Sequence, residues 1–418
     1  MSFSYRPARL VFSGLLLLAS ATALSAKESD LDSARSAAEG VNRFALDLYR
    51  AVRAGEKNLF FSPTSVSVAL AMTREGAKGK TAAEMDKVFH FAAQRTASQR
   101  ALRLALAPPL VSDWTPRGKR RQVKAFELSM ANAVWGQEGL PLQPEFLEVL
   151  ERDYTAPLER LDFAQVAAAR KRINDWVAKR THERIKDIIK PPLPYKSTRL
   201  ALANAIYFKA AWAKPFQPQA TREAPFHLLS GKTTPAKLMR KVEHFRYAED
   251  SAVQVLELGY RGQKTSMVVI LPRTKDGLRE LETTLTHKGL TKWLKALRST
   301  KVNVRLPRFK VTAPLNLTKT LAAMGMPTAF DAQRADFSGM TTKVPLFIGA
   351  VLHKAFVAVD EKGTEAAAAT VVLMAAGGVP RPVQPKQFVA DHPFLFLIRQ
   401  RETGCILFLG RLTNPATD

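Results

Sequence analysis

A single cysteine, Cys405, stands in a chain of 418 residues. One thiol cannot close an internal disulfide, so stability has to come from a core that a chain of this size can bury. Cys405 lies inside an apolar strand pattern, which fits a buried structural thiol; a reactive one needs an exposed, electropositive setting. Acidic side chains are scarce as well: 37 Asp and Glu stand against 63 Lys and Arg, a formal net charge of +26. No apolar run reaches the ~20 residues of a membrane-spanning helix. Catalytic signatures are missing: there is no Gly-x-Ser-x-Gly elbow, no His-Glu-x-x-His and no cluster of cysteines. His182-Glu183 begins the zinc pattern, but Lys186 stands where the second histidine belongs. Gly76-Ala-Lys-Gly-Lys-Thr81 is spaced wrongly for a phosphate loop, and Ser230-Gly-Lys-Thr233 lacks an upstream glycine at the right distance. These gaps argue against an enzyme and against a metal or nucleotide cofactor.

What is present is ordinary globular composition, 46% hydrophobic and 24% charged, without an internal repeat or a long low-complexity linker. Such a chain forms one large domain or two to three average ones. Its first residues read as a targeting segment. Arg6 and Arg9 give a positive start, Leu10–Ala19 an apolar core, and Ala21-Thr-Ala23 and Ser25-Ala26 offer small-residue cleavage sites. A retained membrane anchor is the alternative; against it stand the short core and the lack of a cysteine at the junction to carry a lipid. The expectation is a leader over 1–26 and a secreted mature chain, extracellular or periplasmic, that begins near residues 24–27.

The basic excess has two readings. One is general solubility and compositional bias. The other is an anionic partner: a sulfated polysaccharide, a nucleic acid or an acidic cell envelope. Arg117, Lys119, Arg120, Arg121 and Lys124 form the densest patch. Only Trp114 and Phe126 lie close by, too few aromatics for base stacking, so specific nucleic-acid reading is not supported.

Periodicity places a helix over Ser36–Arg50, with Val41, Phe44, Ala45, Leu48 and Tyr49 on one face. Ser62 caps and Pro63 opens a second helix. Residues 91–124 read as a basic helix and a loop, Phe126–Trp135 as a strand, and Leu140–Tyr154 and Val166–Ile189 as mostly helical. Leu200–Phe208 is a buried strand with one strongly polar residue, Asn204. Strands and short helices then alternate to Leu306. Ala355–Asp360, Pro393–Ile398 and Cys405–Gly410 are further strands.

Between the last of these lies Glu361-Lys-Gly-Thr-Glu-Ala-Ala-Ala-Ala-Thr370, followed by Val371-Val-Leu-Met-Ala-Ala-Gly-Gly-Val-Pro380. Composition leaves two readings open. Ala366–Ala376 holds good helix formers, interrupted by Thr370, Val371 and Val372 and flanked by Gly363 and Gly377-Gly378. Alternatively the segment is a protruding loop that can become a strand, since small residues at every second position would let it slide between two existing strands.

The 361–370 decapeptide resembles the hinge of an inhibitory serpin. Asp391-His-Pro-Phe-Leu-Phe-Leu-Ile398 through Phe408-Leu-Gly-Arg-Leu-Thr-Asn-Pro415 resembles the C-terminal signature of that family, and Asn58–Met85 its N-terminal motif. Asn174–Thr181 with Ile185–Ile189, Lys209–His227, Pro307–Lys310 and Ala335–Gly339 add weaker matches in the family's order, from about residue 38 to 416. Glu183 departs from the pattern, standing where the family usually has glycine, so a local turn difference is expected there. The resemblance implies one α+β serpin domain over 27–418: three β-sheets, about eight to nine helices and an exposed reactive-centre loop over about 361–385.

It also implies a mechanism. A serine or cysteine protease attacks the loop and forms an acyl-enzyme. The freed loop inserts as a new strand in the main sheet and traps the protease covalently. Ser62, Ser65, Asn204 and His353 match the family's shutter, a polar cluster beneath the point where the sheet opens. Glu361, Gly363, Thr364, Glu365, Ala366, Ala367, Ala368, Ala369 and Thr370 match the hinge. If Thr364 enters first and faces inward, Thr364, Ala366, Ala368 and Thr370 are the buried set, and all are small. That favours an active inhibitor, a monomer, over a non-inhibitory carrier or chaperone. Family spacing puts the scissile bond at Gly377-Gly378, with Met374, Ala375 and Ala376 as alternatives, which suits elastase-like or subtilisin-like proteases. Arg381 is the nearest basic candidate, but Pro382 after it would hinder trypsin-like cleavage.

Overall fold

The computed structural model describes residues 12–114, 119–156, 158–196, 198–364 and 384–417. The first helix, Phe12–Val52, is longer than the sequence pattern. Ala34, Ala38, Val41, Phe44, Ala45, Leu48 and Tyr49 are buried along it, the i, i+3, i+4 stripe of a helix packed on a core. The second helix, Pro63–Glu75, starts as expected: the Ser65 N–H donates to the Ser62 side chain at 3.0 Å, and Pro63 takes the position that needs no donor. Among the described residues no helix is long and apolar enough to cross a membrane.

Three sheets and nine α-helices are described. The largest sheet has nine strands. Its centre, Phe394–Gln400 between Ile406–Leu412 and Thr265–Pro272, is apolar on both faces because helices cover one side and the second sheet the other. Cys405 was expected inside the last strand but lies just before it, in the turn between Phe394–Gln400 and Ile406–Leu412; it is fully buried beside Thr64 Oγ1 at 3.3 Å, and burial raises its thiol pKa to about 12, so it is inert.

The second sheet has six strands, in the order Phe309–Asn316, Val351–Val359, Gly363–Thr364, Leu200–Ala211, Phe126–Gln137, Leu158–Leu161. Val351–Phe356 runs parallel to Leu202–Tyr207 over six residue pairs. Beyond their last pair the two strands part, and the two-residue strand Gly363–Thr364 fills the gap.

Two expectations need correcting. Residues 91–124 hold the helix Arg95–Ala105, but the following stretch is a β-hairpin, Leu110–Trp114 against Arg120–Lys124, and not a loop. Arg121 pairs with Asp113 at 3.1 Å across it and Arg120 donates to Ser112 at 2.9 Å. Its residues are largely exposed, so no apolar alternation marks it in the sequence. The helix over 166–189 stops at Arg180. Thr181 Oγ1 accepts from the Ile185 N–H at 3.2 Å, and His182 and Glu183 turn the chain with φ of 50° and 61°. Ile185, Ile188 and Ile189 remain buried under this turn, which is why their spacing looked helical. Glu183 thus adopts the left-handed backbone that suits glycine.

Candidate functional site: a sheet with a prepared seam

The seam between Val351–Val359 and Leu200–Ala211 carries a row of polar side chains. Cross-strand register aligns Asn132, Asn204 and His353 on three adjacent strands. The Ser62 backbone N–H donates to His353 Nε2 at 3.0 Å, so the ring's proton sits on Nδ1 and is given to Asn204 Oδ1. Asn204 Nδ2 lies 2.7 Å from Ser65 O, Ser65 Oγ and Asn132 Oδ1. Ser65 Oγ donates to Asn132 at 3.1 Å, and Ser62 Oγ donates to the Leu407 carbonyl at 2.6 Å.

His353 is fully enclosed, and burial drives its pKa down to about 3. It is therefore neutral, one nitrogen donating and the other accepting. All four shutter residues expected from sequence meet here. Asn132 belongs with them and was missed; its signal was a polar residue inside the Ala131-Asn132-Ala133 strand run.

At the upper end of the seam the hinge is anchored by several contacts. Thr364 is fully buried and its Oγ1 lies 2.6 Å from Tyr260 Oη. Gly363 has φ of 152°, and a Cβ placed there would strike the Ala210 carbonyl and the Ala211 backbone. Trp212 N donates to the Lys362 carbonyl and its ring N–H to the Asp360 carbonyl, both at 2.9 Å. Glu361 is buried and ion-paired with Arg308, with Thr221 donating a further bond. Burial alone would raise the Glu361 pKa; the hydrogen bonds from Arg308 and Thr221 outweigh it and hold the group ionised below its ordinary value. Tyr260, Trp212 and Arg308 were not identifiable as hinge partners from sequence, because they come from distant segments.

Of the expected hinge, Glu361, Gly363 and Thr364 are seen in place. Glu365, Ala366, Ala367, Ala368, Ala369 and Thr370 lie outside the described residues, as do the scissile-bond candidates Met374, Ala375, Ala376, Gly377 and Gly378. In the expected polyanion patch, Lys119, Arg120, Arg121 and Lys124 are exposed on the hairpin, and Arg117 is outside the described residues. Arg121 spends its charge on Asp113.

The site is thus a parallel seam with a satisfied polar row across it and the two-residue strand Gly363–Thr364 at its end. The family model described as Serpin (serine protease inhibitor) matches residues 39–415. The chain is 39% identical over 385 residues to the leukocyte elastase inhibitor of Sus scrofa, covering 89% of this chain and 98% of the relative. It is 40% identical over 377 residues to an uncharacterized serpin-like protein of Thermococcus kodakarensis, covering 90% and 85%. Among solved structures, human thyroxine-binding globulin complexed with its ligand superposes with a TM-score of 0.78 at 29% identity, over 92% of this chain and all of that one. This protein belongs to the serpin family.

Proposed function

We propose that the chain is a secreted inhibitor that traps its target protease covalently, and that the loop after Thr364 is its bait. The observation that carries this reading is Thr364 itself: a small residue, inward-facing and buried at the end of the seam, with Gly363 before it where no side chain fits. If the chain continued as a strand, the inward positions would be Ala366, Ala368 and Thr370, none of them bulky or charged.

The seam's six residue pairs must separate for insertion, and the inserted strand replaces their bonds with two new ladders. Each ladder bond contributes on the order of 0.5–1.5 kcal/mol. A strand of about 15 residues at ~3.3 Å each carries a tethered protease roughly 50 Å. Family spacing counted from Glu361 favours Gly377-Gly378 as the scissile bond, with Met374, Ala375 and Ala376 as alternatives, and elastase-like or subtilisin-like enzymes as targets.

Secretion rests on Arg6, Arg9 and the apolar Leu10–Ala19; Glu28–Asp30 are exposed and Ala34 is the first buried side chain described, so cleavage near residues 24–27 leaves that core whole.

The test is to mix the mature protein with elastase, subtilisin, chymotrypsin and trypsin separately, and to analyse each mixture on denaturing gels and by mass spectrometry. A complex that survives denaturant, with one released C-terminal peptide, is the expected result. Cleavage near Gly377 without a complex by any of the four, and no gain in heat stability on cleavage, would transfer the reading to a carrier.

A further inference from the structure

The segment from 166 to 199 holds ten Lys and Arg against three Asp and Glu. Its helix, Val166–Arg180, buries Ala169, Ile173 and Val177 against the second sheet, and the chain after it runs back alongside as a strap. Asn174 fixes the strap by bonding both the N–H and the carbonyl of Ile189, each at 2.9 Å, and Arg170 Nε donates to the Leu193 carbonyl at 2.7 Å. Ile185, Ile188 and Ile189 join the same core from the strap. With the apolar side chains spent beneath, the cations are left outside in two rows. Lys171, Arg172 and Lys179 are exposed on the helix, and Arg184, Lys186 and Lys190 on the strap.

The strap also crosses the seam. His182 packs on the Tyr207 ring with centroids 5.5 Å apart and pairs with Glu127, while the Arg184 guanidinium lies 6.0 Å over the Phe356 ring. Tyr207 and Phe356 are the last cross-strand pair of the seam, one from each of its strands. Lys354 Nζ, on one of those strands, donates to the Lys186 carbonyl at 2.7 Å. Burial lowers the Lys354 pKa and the Lys190 charge adds to this, with Asp187 opposing, so cations of strap and strand repel one another. Asp175 is taken by Lys171 and Glu183 by Lys186, which leaves most of the positive charge uncompensated.

We infer that this two-row face binds a linear sulfated polysaccharide, and that the bound chain clamps the strap across the seam. The 15-residue helix is about 22 Å long, enough to lay several sugar units along it. Its uncompensated field gathers anions, and Arg and Lys donors take sulfate oxygens directly. Neutralising the repulsion between Lys190 and Lys354 removes a force that lifts the strap from Tyr207 and Phe356. Other polyanions fit less well. Rows joined by direct hydrogen bonds form one strip of charge, which would meet one strand of a duplex and leave the other, a groove away, without partners. Trp176 is already covered by Arg180 at 5.2 Å and packed edge-on with Trp135, so bases find no stacking platform on the helix. Among the described residues of 166–199 Tyr195 is the one large apolar side chain that is exposed, too little for a bilayer to bury. The site is separate from the hairpin at 110–124, and the clamp acts on the intact protein whether or not the loop traps a protease.

The experiment titrates the whole mature protein, at pH 7 and physiological ionic strength, with a heparin octasaccharide. Duplex DNA of equal charge and vesicles of phosphatidylcholine and phosphatidylglycerol are titrated in parallel. Expected is saturable octasaccharide binding, at least tenfold tighter than the duplex, that weakens as salt rises. Lys179→Ala/Lys190→Ala, one change in each row, should weaken it at least tenfold, whereas Arg120→Ala/Lys124→Ala on the hairpin should leave it unchanged. At about a hundredfold excess over Kd, Tm should rise by about 3 °C. The amides of Val351–Phe356 should then exchange at least fivefold more slowly, a larger change than in Phe394–Gln400. No binding, a preference for the duplex or the vesicles, or a loss confined to the hairpin variant would each overturn the site. Binding without added protection at Val351–Phe356 would overturn the clamp.

Discussion

His353 and Asn204 are hydrogen-bonded across the seam where a new strand would enter, through His353 Nδ1 and Asn204 Oδ1. The bond requires a neutral ring, because the other nitrogen accepts from the Ser62 N–H at 3.0 Å. Five polar side chains, Ser62, Ser65, Asn132, Asn204 and His353, meet there hydrogen-bonded, a condition under which a buried network holds one arrangement firmly.

Acid should therefore loosen the gate. The His353 pKa is lowered by burial to about 3, below its unfolded value near 6.5. The unfolded chain thus binds the extra proton between those values, and stability falls as pH drops from about 6.5 towards 3. At pH 5 the loss from this group is about 2 kcal/mol. His353→Gln should start less stable at pH 7 but lose less between pH 7 and pH 5. Equal losses in the two proteins, measured by denaturant unfolding, would remove His353 as the sensor.

Thr364→Arg should turn an inhibitor into a substrate. Thr364 is enclosed beside Tyr260, and a guanidinium there would be buried without a partner at a cost on the order of several kcal/mol. Cleavage of the loop should persist while the denaturant-resistant complex disappears. Complex formation at the unmodified level would sink both the inward position of Thr364 and the insertion step.

Gly363→Ala tests the lodged hinge directly. The added Cβ would strike the Ala210 carbonyl, which belongs to the neighbouring strand and cannot yield alone. Expulsion of residues 363–364 should lower stability by about 1–3 kcal/mol. Amide exchange at Thr364 should accelerate at the same time. Unchanged protection of that amide would mean the strand tolerates the methyl group.

Glu183→Gly should stabilise the fold. Glu183 holds φ of 61°, a conformation that costs a residue with a Cβ about 1 kcal/mol or more. Its ion pair with Lys186 spans 3.4 Å with both side chains about 60% exposed, so little is lost with it. A rise of about 1 kcal/mol in unfolding free energy is expected; a fall would show that the carboxylate matters more than the backbone.

Much of the architecture was legible in the sequence because local physics wrote it there. The i, i+3, i+4 stripe from Val41 to Tyr49, the Ser62-Pro63 start signal and the apolar run from Phe394 to Ile398 each encode an element without outside help. The four shutter residues were named by the resemblance to the family; the residues themselves marked only Asn204 and His353, each polar in a run that is otherwise strand-like. What escaped were features with no local imprint. The exposed hairpin has no buried face to create a period, and the turn at His182-Glu183 keeps three isoleucines at helical spacing while breaking the helix.

The sequence by itself determined the α+β composition, the single thiol, the excess of positive charge and the small residues at Gly363, Thr364 and Ala366 to Thr370, because each depends on residue type and near-neighbour spacing. Tertiary structure decided the rest. It set Asn132, Asn204 and His353 in one row, placed Thr364 against Tyr260 and Glu361 against Arg308, and gathered three arginines about Glu257. Those partners are separated by tens to hundreds of residues, and only strand register and sheet packing bring them within reach of a hydrogen bond or ion pair.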